Sequence, residues 1–465
     1  MRIALDQTAA LFKVSAGVWP PLRGGGNVRP LPKGRTKLMP KRIIGRRTML
    51  AGTVGLLSLP AGTRAQAVKP KVTVISQWSA GSDGAAITRL GVEFEKQGGV
   101  WEHNPVPGFT TEMMNKLRAQ IIAGDPPAAS QLKGPEIAAW SKIGAVVDLD
   151  DEVKAAGYEA VVPAELTRLS KPYGHWIALP LQAYRINTLF VSKKAADTIG
   201  MTKLPTTWAE YNAAAEKMKA AGIIPVANGG IKWDDGMKWE IALCGISPAA
   251  YTKAVMQLDE ATLKGPEVLA AFRQTRKLAD WSDPGVAAQH YSAFIGRFMK
   301  GELGMLLMGG WAQGVFKHAG FALTDYLVGP APQDDGKVAF DLNSDEFIFW
   351  QKKQPEYIAG QKLLAKIVMS KEFGPMYCQI TGSLPVRTDT DLSDPGFSDG
   401  QREAAAAMVQ AVKDGRVVLS LAHNMAQTNQ VTAAMIDVLT EYIHDNRISA
   451  EEGQKRLIEA VDNVR

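Results

Sequence analysis

The stretch KVTVISQWSAGSDGAAITRLGVEF, residues 71–94, decides the fold. Its opening, Lys71 to Gln77, alternates apolar and polar side chains and reads as a strand. Gly81-Ser82-Asp83-Gly84 reads as a turn. Ile87, Leu90 and Phe94 then recur on one helical face. The pattern continues outward. Residues 112–123 read as a second helix with Met113, Met114, Leu117 and Ile121 inward, stopped by Gly124-Asp125-Pro126-Pro127. Ala128 to Leu132 is a short extended segment, and Lys133-Gly134-Pro135 leads into a helix ending near Lys142. This β-α-β-α order predicts an α/β fold, a sheet layered with helices.

Further along, residues 177–181 and 189–191 read as extended. Pro205 to Trp208 opens a helix through Ala221 with Thr206 or Thr207 as N-cap. Residues 263–280 and 291–301 have helical patterns, and Leu303 to Met308 is a buried strand entering the turn Gly309-Gly310. Tyr326 to Val328 and Glu346 to Trp350 are short strands, and the chain is mostly helical from about Ala404. No repeat, low-complexity tract or linker separates two halves, so the domains are expected to exchange strands.

The chain has 465 residues, 46% hydrophobic and 22% charged, which excludes disordered and collagen-like classes. That length suits two or three domains. Its 53 basic and 47 acidic residues are unevenly placed: residues 1–67 hold 12 and one (Asp6), the remainder 41 and 46. The leader is therefore +11 and the remainder −5, which removes the case for nucleic acid as a partner. Arg46-Arg47, a modest apolar run from Met49 to Pro60, and Ala65-Gln66-Ala67 have the order of a secretory signal. The paired arginines suggest twin-arginine export, with an ordinary secretory signal as the alternative. Cleavage is expected near Ala67, giving a soluble periplasmic protein, and Met39 is a plausible start.

Several chemistries lack their residues. The six histidines show neither H-E-x-x-H nor close pairing, and Cys244 and Cys378 cannot make a Cys-rich zinc site, though they could pair with each other. No metal and no cofactor is expected. Gly396-Phe397-Ser398-Asp399-Gly400 matches G-x-S-x-G, but Ser393-Asp394-Pro395 before it is turn chemistry rather than the strand a nucleophile elbow needs. The paired carboxylates of a glycosidase would lie far apart along the chain and leave no local signal. What remains is aromatic: Trp78, Trp233, Trp281 and Trp311 sit beside polar or glycine residues near expected strand ends. Aromatic faces with planar polar neighbours suit sugars, although each Trp alone suits a core equally.

Residues 70–465 resemble the extracellular solute-binding proteins of ABC sugar importers, family 1, especially the glucose/mannose-binding branch. The resemblance runs through Gly124-Asp125-Pro126-Pro127, Gln131 to Trp140, Leu179-Pro180, Tyr184-Arg185-Ile186-Asn187, and Leu204 to Trp208. It continues in Met308-Gly309-Gly310-Trp311-Ala312, Gly382 to Arg387, and Ser420-Leu421-Ala422-His423. It implies a periplasmic binding protein fold: two α/β lobes joined by strand crossovers near 181–187, 328–332 and 381–388, with the ligand cleft between them. The N-terminal lobe would be 68–184 plus 330–382, the C-terminal lobe 185–329 plus 383–465.

The implied function is delivery of a carbohydrate to membrane permease subunits by a monomeric receptor without catalysis. Alternatives are a non-sugar solute on the same fold and a secreted hydrolase. The implied ligand-binding residues are Trp78, Asp83 (where the family has Glu), Gln131, Lys133, Tyr184, Trp233, Trp311 and His423. Lys133 could face an anionic group or be ordinary surface charge. The branch's Met-Gly-Asp-Trp becomes Gly310 at the acid, its Lys-Gly-Ser has Thr381 for the Lys, and its His-Arg-x-Asn has Tyr184 for the His. A Trp-Asn pair is replaced within Gln289-His290-Tyr291-Ser292. Each lost charge-assisted bond to a buried hydroxyl costs about 1–3 kcal/mol, so free glucose is not expected to be held by the branch's usual contacts.

Overall fold

Val72, Val74 and Ile75 bury their side chains fully in the first strand, as the alternation of residues 71–77 requires. The computed structural model describes residues 68–106, 110–283, 285 and 289–465, with backbone alone at 110 and 111. The leader, its paired arginines and the cleavage site near Ala67 lie outside the described residues. The strands in chain order are β1 (Lys71–Ser76), β2 (Val100–Pro105), β3 (Ala129–Leu132), β4 (Ala178–Arg185), β5 (Thr188–Ser192), β6 (Ile224–Val226), β7 (Leu303–Met308), β8 (Tyr326–Pro330), β9 (Phe340–Phe349) and β10 (Val417–Leu419).

They form two sheets. One is six-stranded, in the order β10-β9-β3-β1-β2 with β4 also paired to β9; the other is four-stranded, β6-β7-β5-β8. β9 organises the larger sheet. Its first residues run parallel to β10, while its last run antiparallel to β3. β4 lies antiparallel along most of its length. Pro180 faces Glu346 and Gln182 faces Asp345, so Leu181 is the extra residue of a bulge. The sheets are linked where β4 runs into β5, where β8 runs into β9, and after β10. Leu419 belongs to the core of the larger sheet and Leu421 to that of the smaller.

The local expectations meet the structure unevenly. Gly81 to Gly84 is the first turn of a helix, Gly81–Lys96, and not a free turn; Asp83 there complements the helix dipole. β9 begins six residues before the expected Glu346, because the polar run Asn343-Ser344-Asp345-Glu346 hides a strand that is buried throughout. The helical pattern at 291–301 is broken. A 3-10 turn, Tyr291–Ala293, precedes the helix Ile295–Met299, and Phe294 between them has a non-helical φ of −114°. The helix Lys232–Ile246 has buried side chains on every side, so it lacks the one-faced periodicity by which helices are read.

Two features pin the first crossing. Arg185, 1% exposed, forks onto both oxygens of Glu403 at 2.8 and 2.7 Å. Asn187 donates to the Ala339 carbonyl at 2.8 Å and accepts from the Asp341 N–H at 3.0 Å, tying β4–β5 to the start of β9. Cys244 and Cys378 are both buried and free. Among the described residues no helix is long and apolar enough to cross a membrane.

The helix Pro355–Val368 approaches β1 so closely that a Cβ on Gly360 would lie 1.9 Å from the Lys71 carbonyl oxygen. Gly360→Ala is therefore expected to lower stability by about 1–3 kcal/mol. Urea denaturation measures this, and an unchanged midpoint would contradict that close approach.

Candidate functional site

Trp78 and Lys133 follow the carboxyl ends of the parallel strands β1 and β3, and Trp311 follows β7. Ligands of open α/β sheets bind outside such ends. Asp83 stands in the first turn of the helix that β1 leads into, and Tyr184 near the end of β4. Trp233 opens the helix Lys232–Ile246, and His423 follows β10.

The aromatic side chains from different elements meet. Tyr184 and Trp311 lie edge to face at 5.3 Å, and Trp311 lies 5.1 Å from His423. Trp233 is 5.8 Å from His423 and 6.4 Å from Trp311. Trp78 contacts the Phe347 and Tyr377 rings, each at 6.2 Å. Trp281 is not part of this group; its indole donates to Glu216 at 3.0 Å.

The polar side chains converge on a residue that sequence reasoning missed, Asp345 in β9. Its Oδ1 accepts from Gln131 Nε2 at 2.8 Å and from Lys133 Nζ at 2.9 Å. Its Oδ2 accepts from Gln182 Nε2 at 3.1 Å. Gln131 Oε1 in turn accepts from the Gln77 N–H at 3.1 Å. Lys133 is thus a buried member of an ion pair, which corrects the surface-charge reading and leaves it no spare charge for an anion. The available signal was the run Asn343 to Glu346 inside an apolar strand, because polar groups are placed there only at a cost.

Thr381, at the position of the branch's Lys, belongs to the same network. Its hydroxyl donates to Gln182 Oε1 at 3.0 Å and lies 2.6 Å from Ser383 Oγ. Gly310 leaves space: a Cβ there would meet nothing nearer than the Arg185 oxygen at 3.8 Å. Gly309 has none, since its Cβ would fall 1.9 Å from the Trp311 ring.

Electrostatics joins the two groups. Burial pushes the Asp83 carboxyl up to about 7; nearby Asp345 adds to this and Lys133 opposes it. Tyr184 is held far up, by burial first and then by the Asp83 and Asp345 charges. Burial, with Lys133 second, holds His423 well below the usual imidazole range, so its ring is neutral. His423 Nδ1 lies 2.8 Å from Ser420 Oγ. That hydroxyl donates to Glu240 at 2.8 Å, and Glu240 also accepts from the N–H groups of Leu421 and Ala422 at 2.6 and 2.9 Å. The helix carrying Trp233 therefore also fixes the segment carrying His423. The turn before Trp233 is equally built: Asp234 accepts from the Gly229 N–H at 3.2 Å and pairs with Lys238.

Ser398 of the G-x-S-x-G run caps the helix Asp399–Lys413, accepting from the Gln401 N–H at 3.0 Å, and donates to Gln313 at 2.8 Å. The element before it is the helix Phe373–Thr381 and not a strand, so the setting of a nucleophile elbow is missing.

Relatives match most of this chain. A protein of Rhizobium meliloti (strain 1021), named as a probable sugar-binding periplasmic protein, is 32% identical over 419 residues, covering 90% of this chain and 99% of its own. A protein of Brucella suis biovar 1 (strain 1330) with the same name is 33% identical over 396 residues, covering 85% and 92%. Among solved structures, a chitin oligosaccharide binding protein superposes with a TM-score of 0.70 at 19% identity, covering 85% of this chain and 99% of its own. A maltose-bound MalE3 of T. maritima gives 0.70 at 17%, covering 85% and 100%. Their identities are low, and they show the two-lobe α/β fold alone. The model of the family described as bacterial extracellular solute-binding protein matches residues 90–408. The chain belongs to that family.

Proposed function

We propose that this protein is the periplasmic receptor of an ABC importer and captures a carbohydrate for its permease without catalysis. One observation carries the reading. An aromatic cluster, Tyr184, Trp233, Trp311 and His423, adjoins a hydrogen-bonded polar cluster centred on Asp345, and the two are supplied by elements of both sheets. Sugars present C–H faces to rings and hydroxyls to planar polar groups, so this pairing suits them. The names of the full-length relatives point the same way.

Trp78, Asp83, Gln131, Lys133, Tyr184, Trp233, Trp311 and His423 form the binding surface, with Asp345 and Gln182 fixing the polar groups. The lobes are built on the two sheets and close as a hinge, with ligand favouring the closed state. Packing of Ala404, Met408 and Ala411 in the core of the larger sheet supports a third crossing near residue 420 and not near 383. Export by the twin-arginine route, cleavage near Ala67 and a monomeric state complete the reading.

Thermal unfolding against a panel of sugars, polyols and sugar acids tests it. A ligand at a hundred times its dissociation constant should add about 2.7 kcal/mol and raise the melting temperature visibly. The same ligand should change the tryptophan emission, because Trp233 and Trp311 lie against one another and against His423. A shift with acids or amines but with no sugar would replace the substrate class and keep the fold.

A further inference from the structure

At the Asp83 end of the site, three polar atoms lack any hydrogen-bond partner within the protein: Ser82 Oγ, Asp83 Oδ1 and Tyr377 Oη. Ser82 is 1% exposed and Tyr377 fully buried. Tyr377 and Tyr184 both feel the Asp83 charge, and Tyr377 touches the Trp78 ring. The other charges nearby are already matched. Asp345 has Lys133, Gln131 and Gln182, Asp234 has Lys238, and His423 is neutral. Asp83 is the carboxyl left over, on a helix packed against the one that carries Tyr377.

Resting on the sugar-receptor reading, we propose that the solute is an amino sugar whose protonated primary amine sits against Asp83, Ser82 and Tyr377. An ammonium offers three N–H donors and no acceptor, which matches three orphaned oxygens. A hydroxyl offers one donor and leaves two of the three oxygens without one, whereas an ammonium also draws the Asp83 carboxyl into its ionised form.

The test is calorimetric titration of the purified protein at neutral pH. Glucose and galactose are compared with their 2-amino and 6-amino counterparts and with the N-acetylated forms, which keep the nitrogen but lose the charge. The expected result is that at least one amine binds about tenfold or more tighter than both its neutral parent and its acetylated form. Asp83→Asn, close in shape, should bring that ratio near one. If neutral sugars bind as tightly as every amine, or if the Asn variant keeps the preference, the amino-sugar assignment is wrong and the sugar reading survives. If neither amines nor neutral sugars bind, the sugar reading itself falls, and this assignment with it. The acetylated comparison needs no variant, so a misfolded Asp83→Asn protein would not shield the idea.

Discussion

Asp345→Ala is expected to abolish ligand binding, at least a hundredfold in affinity, and to remove about 3–5 kcal/mol of folding stability. The reason is what the carboxylate holds. It accepts from Lys133, Gln131 and Gln182, side chains that arrive on β3, just after it, and on β4. Without it, Lys133 is a buried ammonium whose remaining partner is the Asn343 side-chain oxygen at 3.4 Å. Gln131 and Gln182 each lose a partner and are free to turn away from the site. Breaking one half of a buried pair is much worse than removing both halves. The double variant Lys133→Met with Asp345→Leu should therefore recover most of the stability and none of the binding. Urea denaturation reads the first quantity and calorimetry, with whichever sugar stabilises the parent protein, reads the second. A stable Asp345→Ala protein that still binds would show that Asp345 does not organise the site.

The importance of Asp345 also marks where sequence reading stopped. The β-α-β-α opening was legible because β1 alternates and the helix Gly81–Lys96 shows one apolar face. β2 was missed because an edge strand with half its surface in water carries no strict alternation. The helix Lys232–Ile246 was missed for the opposite reason, being buried all round. Of the residues named from the resemblance, Tyr184, Trp233, Trp311 and His423 lie in one ring cluster, and Gln131 and Lys133 meet on Asp345. Asp345 and Gln182 were invisible to that approach. The polar run Asn343 to Glu346 is a local hint of buried polar groups, but the partners of Asp345 follow from β4 pairing with β9 across a one-residue bulge, a long-range register.

Stability is expected to fall by at least about 3 kcal/mol between pH 6.5 and pH 8.5 in the ligand-free protein. Glu346 and Asp341 are the main causes; burial pushes the Asp341 carboxyl well above the usual carboxylate range, and Glu240 adds to this. Burial pushes the Glu346 carboxyl up to about 8, Asp345 nearby adds to this, and the hydroxyl of Ser170 at 2.6 Å opposes it. Burial likewise pushes Glu240 and Asp83 up to about 7. A carboxyl raised in the folded state keeps its proton there after the unfolded chain has released its own near pH 4. The folded state then holds more protons, so stability declines as pH rises until the raised pKa is passed. Below pH 6.5 the trend is opposed. His103 is lowered to about 4 and His423 well below its usual range, both first by burial, so they stay neutral while the unfolded chain gains protons. That contribution grows as pH rises toward 6.5 and is then constant, which leaves the window above it to the carboxyls. Integrating over that window assigns about 2 kcal/mol to Glu346 and under about 1 kcal/mol each to Glu240 and Asp83. Glu346→Gln, which imitates the protonated acid, should make the slope shallower by about 2 kcal/mol over the window. Denaturation midpoints of both proteins across the window decide it: a flat or rising profile for the parent, or equal slopes for the two, would mean that Glu346 is ionised in the fold despite its burial.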